Sequence, residues 1–238
     1  MSFYYTHKVA LYVRSTNPIM ITLKEKTKDL EVSYIDSTII DDLYIIPGLN
    51  GKKINLNASL SKMNDTFDES KIVYYSVSPK ISLEENKNKI IIRGNDHKDS
   101  VSLIFPNITT ISKYLVNNKY QINLLITEEK YNKSYELINY SNHESTYKNI
   151  DKFLKKNKLN RNICLTKNNS IPSLCKNKYI IKPSMIITQS NFSNNMNKIE
   201  SGEIILIESI NSEQLTLLLK HLSSKRLNIV YLSELIKE

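Results

Sequence analysis

Glycine is scarce in this chain, four in 238 residues, and only two cysteines accompany it. Those shortages exclude several kinds of chemistry. No Gly-x-x-x-x-Gly-Lys-Ser/Thr phosphate loop and no Gly-x-Gly-x-x-Gly dinucleotide turn can be written. There is likewise no Gly-x-Ser-x-Gly elbow, no His-Glu-x-x-His and no Cys-His pair at a known catalytic spacing. Two of the glycines fall in Tyr44-Ile-Ile-Pro-Gly-Leu-Asn-Gly-Lys-Lys-Ile54, where Pro47-Gly48 and Asn50-Gly51 predict a tight double turn between strands. Cys164 and Cys175 do not make a disulfide scaffold, and their spacing lacks the partner ligands of a zinc site. Buried free thiols are expected, with one local disulfide as the alternative if the protein is exported. No run of 18 apolar residues and no signal peptide is found, so no membrane span is expected and any leader or anchor would lie outside this sequence.

What is present is basic: 33 Lys and Arg against 24 Asp and Glu, a formal charge of +9. Such a charge favours adsorption to polyanions such as cell-wall polymers, membranes or nucleic acid. A solvated lysine-rich surface from an AT-rich genome accounts for it equally well. No aromatic-basic RNA motif or basic helix occurs, so nucleic acid is not an expected partner.

Residues 1–98 and 99–238 differ in texture. In the first stretch, alternation over Lys8–Val13, Ile19–Leu23 and Leu30–Ile35 predicts short strands, Asn57 is placed to cap a helix through Met63, and Lys71–Val77 and Lys89–Arg93 read as strands. This is an α+β accessory domain suited to packing or binding. In the second stretch, strand and helix signals alternate as a parallel sheet requires. Val101–Phe105, Ile122–Ile126, Asn162–Thr166, Lys178–Ile181, Met185–Thr188, Ile204–Ile207 and Asn228–Tyr231 read as strands. Helices are expected over Ile108–Val116, Tyr131–Ile138, Glu144–Lys156 and Glu213–Leu222, with a short one at Ile171–Cys175. Ligands of such a layer sit at the carboxyl ends of its strands, so chemistry is expected just after Phe105.

Val101-Ser-Leu-Ile-Phe105, the helix after it and Tyr120-Gln-Ile-Asn-Leu-Leu-Ile-Thr127 resemble the first βαβ unit of the polysaccharide deacetylases, the superfamily of chitooligosaccharide and peptidoglycan deacetylases. Ser201-Gly-Glu-Ile-Ile-Leu-Ile-Glu-Ser209 and Leu227-Asn-Ile-Val-Tyr-Leu-Ser-Glu-Leu-Ile236 resemble that family's last strand and closing segment. The likeness runs from Asp99 to Glu238. It implies a trimmed (β/α) barrel-like deacetylase domain, preceded by the α+β domain found in some cell-wall-associated members.

The family's chemistry uses a divalent metal such as zinc, held by one aspartate and two histidines, with a second aspartate as base and a histidine as general acid. A metal Lewis acid with an activated water is what makes amide cleavage feasible near neutral pH. Carried over position by position, the aspartate pair falls on Pro106 and Asn107, the histidine pair on Tyr140 and Glu144, and the late histidine on Glu208. The arginine-proline segment is replaced by Leu165-Thr-Lys-Asn168, and His143 does not recover a second histidine. Asp96, His97 and Asp99 lie before the first strand, at the wrong end for the family pocket, in an expected solvated loop. Tyr140, His143, Glu144 and Glu208 are the candidates for a residual cleft able to hydrogen-bond a sugar.

The expectation is a catalytically inactive relative of these carbon-nitrogen hydrolases, with no metal or other cofactor. It would act as a glycan-binding or protein-interaction module at the bacterial cell envelope or in spore assembly. The alternative is an active metal-dependent deacetylase of cell-wall polysaccharide with a relocated site.

Overall fold

A computed structural model describes residues 15–128, 134–140, 143–169 and 172–238. The expected strand at Lys8–Val13 and the start of the expected helix at Tyr131 lie outside those residues. In chain order, the elements of the first part are α1 (Pro18–Leu30), β1 (Thr38–Ile40), β2 (Tyr44–Ile46), β3 (Gly51–Ile54), α2 (Leu56–Lys62), β4 (Tyr74–Val77) and β5 (Ile90–Ile91). There follow β6 (Ser100–Phe105), α3 (Thr110–Asn117), β7 (Asn123–Ile126), β8 (Glu136–Asn139), α4 (Glu144–Lys156), β9 (Ile163–Leu165), β10 (Tyr179–Ile181) and β11 (Met185–Ile187). The last elements are α5 (Phe192–Met196), β12 (Ile204–Ile207), α6 (Ser212–Ser224), β13 (Asn228–Ile229) and α7 (Leu232–Leu235).

The chain divides into two compact units. The smaller takes the described residues up to Asp36 together with Leu49–Lys80, and the larger takes Ser37–Gly48 and Ile81–Glu238. This moves the boundary expected at residue 98. β2 and β5 belong to the large sheet, where β5 pairs with both β2 and β10, and Ile45, Ile90 and Ile91 are fully buried. Apolar pairs of that kind are too short to announce which sheet will bury them.

In the smaller unit, Ile19–Leu23 is helical, not the expected strand. Asn17 Oδ1 accepts the Ile19 N–H at 2.8 Å and Pro18 occupies the first turn, a start signal that outweighs a five-residue alternation. The helix buries Ile19, Met20 and Leu23, which also fit helical spacing. The cap of α2 is Asn55, whose Oδ1 accepts the Ala58 N–H, and not Asn57. Of the expected strand Leu30–Ile35, Leu30 ends α1 and the remainder forms two isolated bridges, Val32 to Lys52 and Ile35 to Leu49. Gly51 opens β3, which pairs antiparallel with β4. A Cβ there would lie 2.7 Å from the Tyr34 nitrogen, so this glycine serves a close backbone approach.

The larger unit is built on one open, barrel-like sheet in the order β1-β2-β5-β10-β9-β8-β7-β6-β12-β11, with β13 beside the start of β6. Only β1 and β2 run antiparallel. Parallel strands covered on both faces are largely apolar, and β6, β7 and β12 are buried at every position, the polar Ser100, Ser102 and Asn123 included. Successive residues alternate between two cores. Leu103, Leu124 and Leu137 join Leu115, Ile150, Leu154 and Leu218 of the helices. Ile104, Leu125, Ile138, Ile181 and Leu206 join Leu232 and Leu235 of α7 instead. The second core draws on strands from β2 to β12 and on no other helix, so it is the concave interior of the sheet, closed by α7.

Two expectations change here. Residues 136–138 of the expected Tyr131–Ile138 helix fall in β8, because the position between β7 and β9 buries both faces of a short apolar run. The expected last strand shrinks to Asn228–Ile229 before α7 begins.

Closure by α7 uses polar side chains at the amino-terminal ends of the strands. Asn123 Oδ1 accepts the Leu232 N–H at 2.9 Å, while its Nδ2 donates to Ser102 Oγ and the Leu103 carbonyl. Glu136 accepts the Ser233 N–H at 2.9 Å. A carboxylate and an amide oxygen therefore satisfy the first N–H groups of a helix that has no cap of its own. At the other end of α7, the Lys98 ammonium donates to the carbonyls of Glu234, Leu235 and Lys237.

Candidate functional site at the carboxyl ends of the strands

Strand direction places Pro106 and Asn107 after β6, Thr127 and Glu128 after β7, Tyr140 after β8, Thr166 and Lys167 after β9, and Glu208 after β12. The sheet order therefore brings the end of β9 and the end of β12 to one mouth, although Lys167 and Glu208 are 41 residues apart in sequence. Lys167 Nζ donates to Glu208 Oε1 at 2.7 Å, and both side chains are 38% exposed. That bond, aided by Tyr140 nearby, holds the Lys167 pKa above its ordinary value against a smaller opposing effect of burial.

Of the four cleft candidates, Glu208 bonds this ammonium directly, and Tyr140 acts on it only electrostatically. Tyr140 is half-buried against the concave core. The other two lie elsewhere on the chain. Glu144 is fully exposed in the first turn of α4 and bonds Lys148 one turn on, which lowers its pKa. His143 occupies the N-cap position of α4, where its side chain does not cap the helix. Asp96 and His97 bond each other in an exposed turn at the amino-terminal side of β6, and Asp99 follows with a φ of 47°. That is the opposite end of the strand from Pro106.

A cleft of about 270 Å³ lies where β6 and β7 end, lined by Pro106, Asn107, Ile108, Thr127 and Glu128 among others. Glu128 is the one carboxylate in that lining. The described residues at these strand ends do not offer a catalytic metal a ligand set. Proline supplies no ligand, asparagine is a weak neutral donor, and Lys167 already neutralises Glu208. Among the described residues, no three His, Cys, Asp or Glu side chains come together as a metal group would require.

The reading of Leu165-Thr-Lys-Asn168 as a lost motif passed over Lys167. Its only signal in the sequence was its place after an apolar strand run, since the partner lies on a strand that reaches it through the sheet order. The cysteines also need correction: Cys164 and Cys175 form a disulfide, with Cα atoms 5.6 Å apart, in place of the expected free thiols. Cys164 faces the helix layer from β9, and the turn at Ser173–Cys175 brings its partner onto it.

The fold is that of the CE4 polysaccharide deacetylases, an α/β layer with a barrel-like parallel sheet. Over 92% of this chain and 95% of the other, it superposes on wild-type BA3943, a CE4 family pseudoenzyme from Bacillus anthracis, with a TM-score of 0.61 and 16% identity. A BA3943 mutant described as having restored enzymatic activity matches over 92% of this chain and 98% of the other, with a TM-score of 0.62. In sequence, 103 residues are 32% identical to the uncharacterized protein YlxY of Bacillus subtilis strain 168. That segment is 42% of this chain and spans about a third (32%) of YlxY. No family model matches the sequence.

Proposed function

We propose that this chain is a catalytically inactive polysaccharide-deacetylase relative, kept as a binding module for cell-wall glycan or for an envelope protein. The observation that carries the reading is the Lys167–Glu208 pair at the carboxyl ends of β9 and β12. Around the mouth, an internal ammonium neutralises the carboxylate that stands at the family's late histidine position, and neither residue after β6 is an aspartate. A Lewis acid cannot be assembled from these groups. The likeness to BA3943 supports the reading, because that protein is itself a CE4 pseudoenzyme. An extracytoplasmic location is supported by the disulfide, which persists in oxidising compartments.

The test is metal content with acetate release. The protein, supplied with zinc, cobalt or manganese, is assayed on N-acetylglucosamine oligomers and peptidoglycan fragments. The expected result is no stoichiometric metal and no acetate, with retention on insoluble peptidoglycan or capture of one envelope protein. One metal per chain with acetate released would overturn the reading in favour of a deacetylase with a relocated site.

A further inference from the structure

A second cavity, of about 230 Å³, lies at the carboxyl ends of β8 and β9, where Tyr140 and Leu165 border it from the concave side and the disulfide cluster from the helix side. It is bounded by Asn139 at the end of β8, Tyr147 of α4, the Cys164–Cys175 disulfide, and Ser173 and Leu174 of the turn between the cysteines. None of its lining residues carries a charge.

The cavity holds an unanswered hydrogen-bond acceptor. Asn139 is 1% exposed, and its Nδ2 donates to the Tyr147 carbonyl at 2.9 Å. That bond fixes which way the amide faces, because the flipped form would set oxygen against oxygen. Oδ1 is left buried with no partner among the described residues. Buried polar atoms are almost always paired, and an exception calls for a water, an ion or a ligand. The Tyr147 hydroxyl donates to Cys164 Sγ at 3.4 Å, so its oxygen too is left as an acceptor. Leu165, Pro172, Leu174 and the disulfide supply the apolar part of a lining that Asn139, Tyr140, Tyr147 and Ser173 otherwise make polar.

We propose that this cavity is a binding site for a compact, uncharged molecule that presents one O–H or N–H donor to Asn139 Oδ1 and rests an apolar body against Leu174 and the disulfide. The absence of charged lining disfavours ions, and the acceptor set selects donors. The cavity shares Tyr140 with the mouth, but neither Lys167 nor Glu208 lines it. Its test reads Asn139 and not metal or acetate, so its failure is distinguishable from failure of the function proposed above.

Phenol and toluene are the probes, equal in shape and differing in one donor. Titration of the isotopically labelled full chain, read at the Asn139 side-chain amide by nuclear magnetic resonance, should show saturable phenol binding. Toluene should bind about tenfold more weakly, the difference expected for one net hydrogen bond. Leu174→Phe should fill the space and abolish phenol binding. Equal affinity for the two probes, no saturable change at Asn139, or a crystal soaked in phenol that shows only water at Oδ1 would each overturn the proposal. The comparison of probes uses the native chain, so the test stands even if Leu174→Phe fails to fold.

Discussion

The two ends of the barrel-like sheet treat polar side chains in opposite ways. At the amino-terminal ends, Asn123 is fully buried and makes three hydrogen bonds that join β6, β7 and α7. At the carboxyl-terminal ends, Lys167 and Glu208 are 38% exposed and share one. A fully saturated buried amide is costly to lose, because its removal strands the groups it served. An exposed ion pair adds little. The end that closes the barrel is the one the fold depends on, and the opposite end, which carries the Lys167–Glu208 pair, is a solvated rim.

Removing Asn123 should break this contrast most severely. Asn123→Ala strands the Leu232 N–H and opens a small void, and it should cost about 3 kcal/mol in urea unfolding. A loss under about 1 kcal/mol would mean that α7 is held by its apolar side chains alone, Leu232 and Leu235 being fully buried. Glu136→Ala should follow at about 1–2 kcal/mol, because Glu136 serves both the Ser233 N–H and Asn160 Nδ2. Its side chain is better reached by water, and water can replace part of what is lost.

The sequence carried these two ends unequally. Val101–Phe105, Ile122–Ile126, Glu144–Lys156 and Ile204–Ile207 were legible, because local runs and helical spacing decide where strands and helices form. α4 begins and ends at the expected residues. The closure of the base was not legible. α7 has four residues and takes its caps from Asn123 and Glu136, which are about a hundred residues earlier, so no local cap signal precedes it. At the mouth, position alone offered Pro106, Asn107, Tyr140, Glu144 and Glu208 as the counterparts of the family's catalytic residues. The pairing that ties Glu208 to Lys167 could not be read that way, since it follows from strand order. Ile19–Leu23 misled for a different reason: Ile19, Ile21 and Leu23 alternate, yet the Asn17-Pro18 start commits the segment to a helix.

Two lysines sharpen the comparison through opposite responses to alkali. Burial lowers the Lys98 pKa to about 8, outweighing the attraction of Glu234. The unfolded chain then binds more protons than the folded one between about pH 8 and the ordinary lysine pKa of about 10.4. The Lys98 contribution to stability should therefore rise as pH rises through that window. Lys98→Met should flatten the rise in urea unfolding at pH 7.5, 9 and 10. An unchanged slope would assign it to other groups.

Lys167 should behave in the reverse sense and on a smaller scale. Its pKa is raised, first by the bond to Glu208, so its contribution is complete below the ordinary lysine pKa and is lost as pH climbs through the raised value. With both partners more than a third exposed, screening keeps the pair's worth low. A double-mutant cycle of Lys167→Met and Glu208→Gln should give a coupling of about 0.5 kcal/mol, falling further in 1 M salt. A coupling above about 2 kcal/mol that persists in salt would mean that the pair is shielded by something that covers the mouth in solution. In that case the rim would be a packed interface, and the contrast between the two ends would disappear.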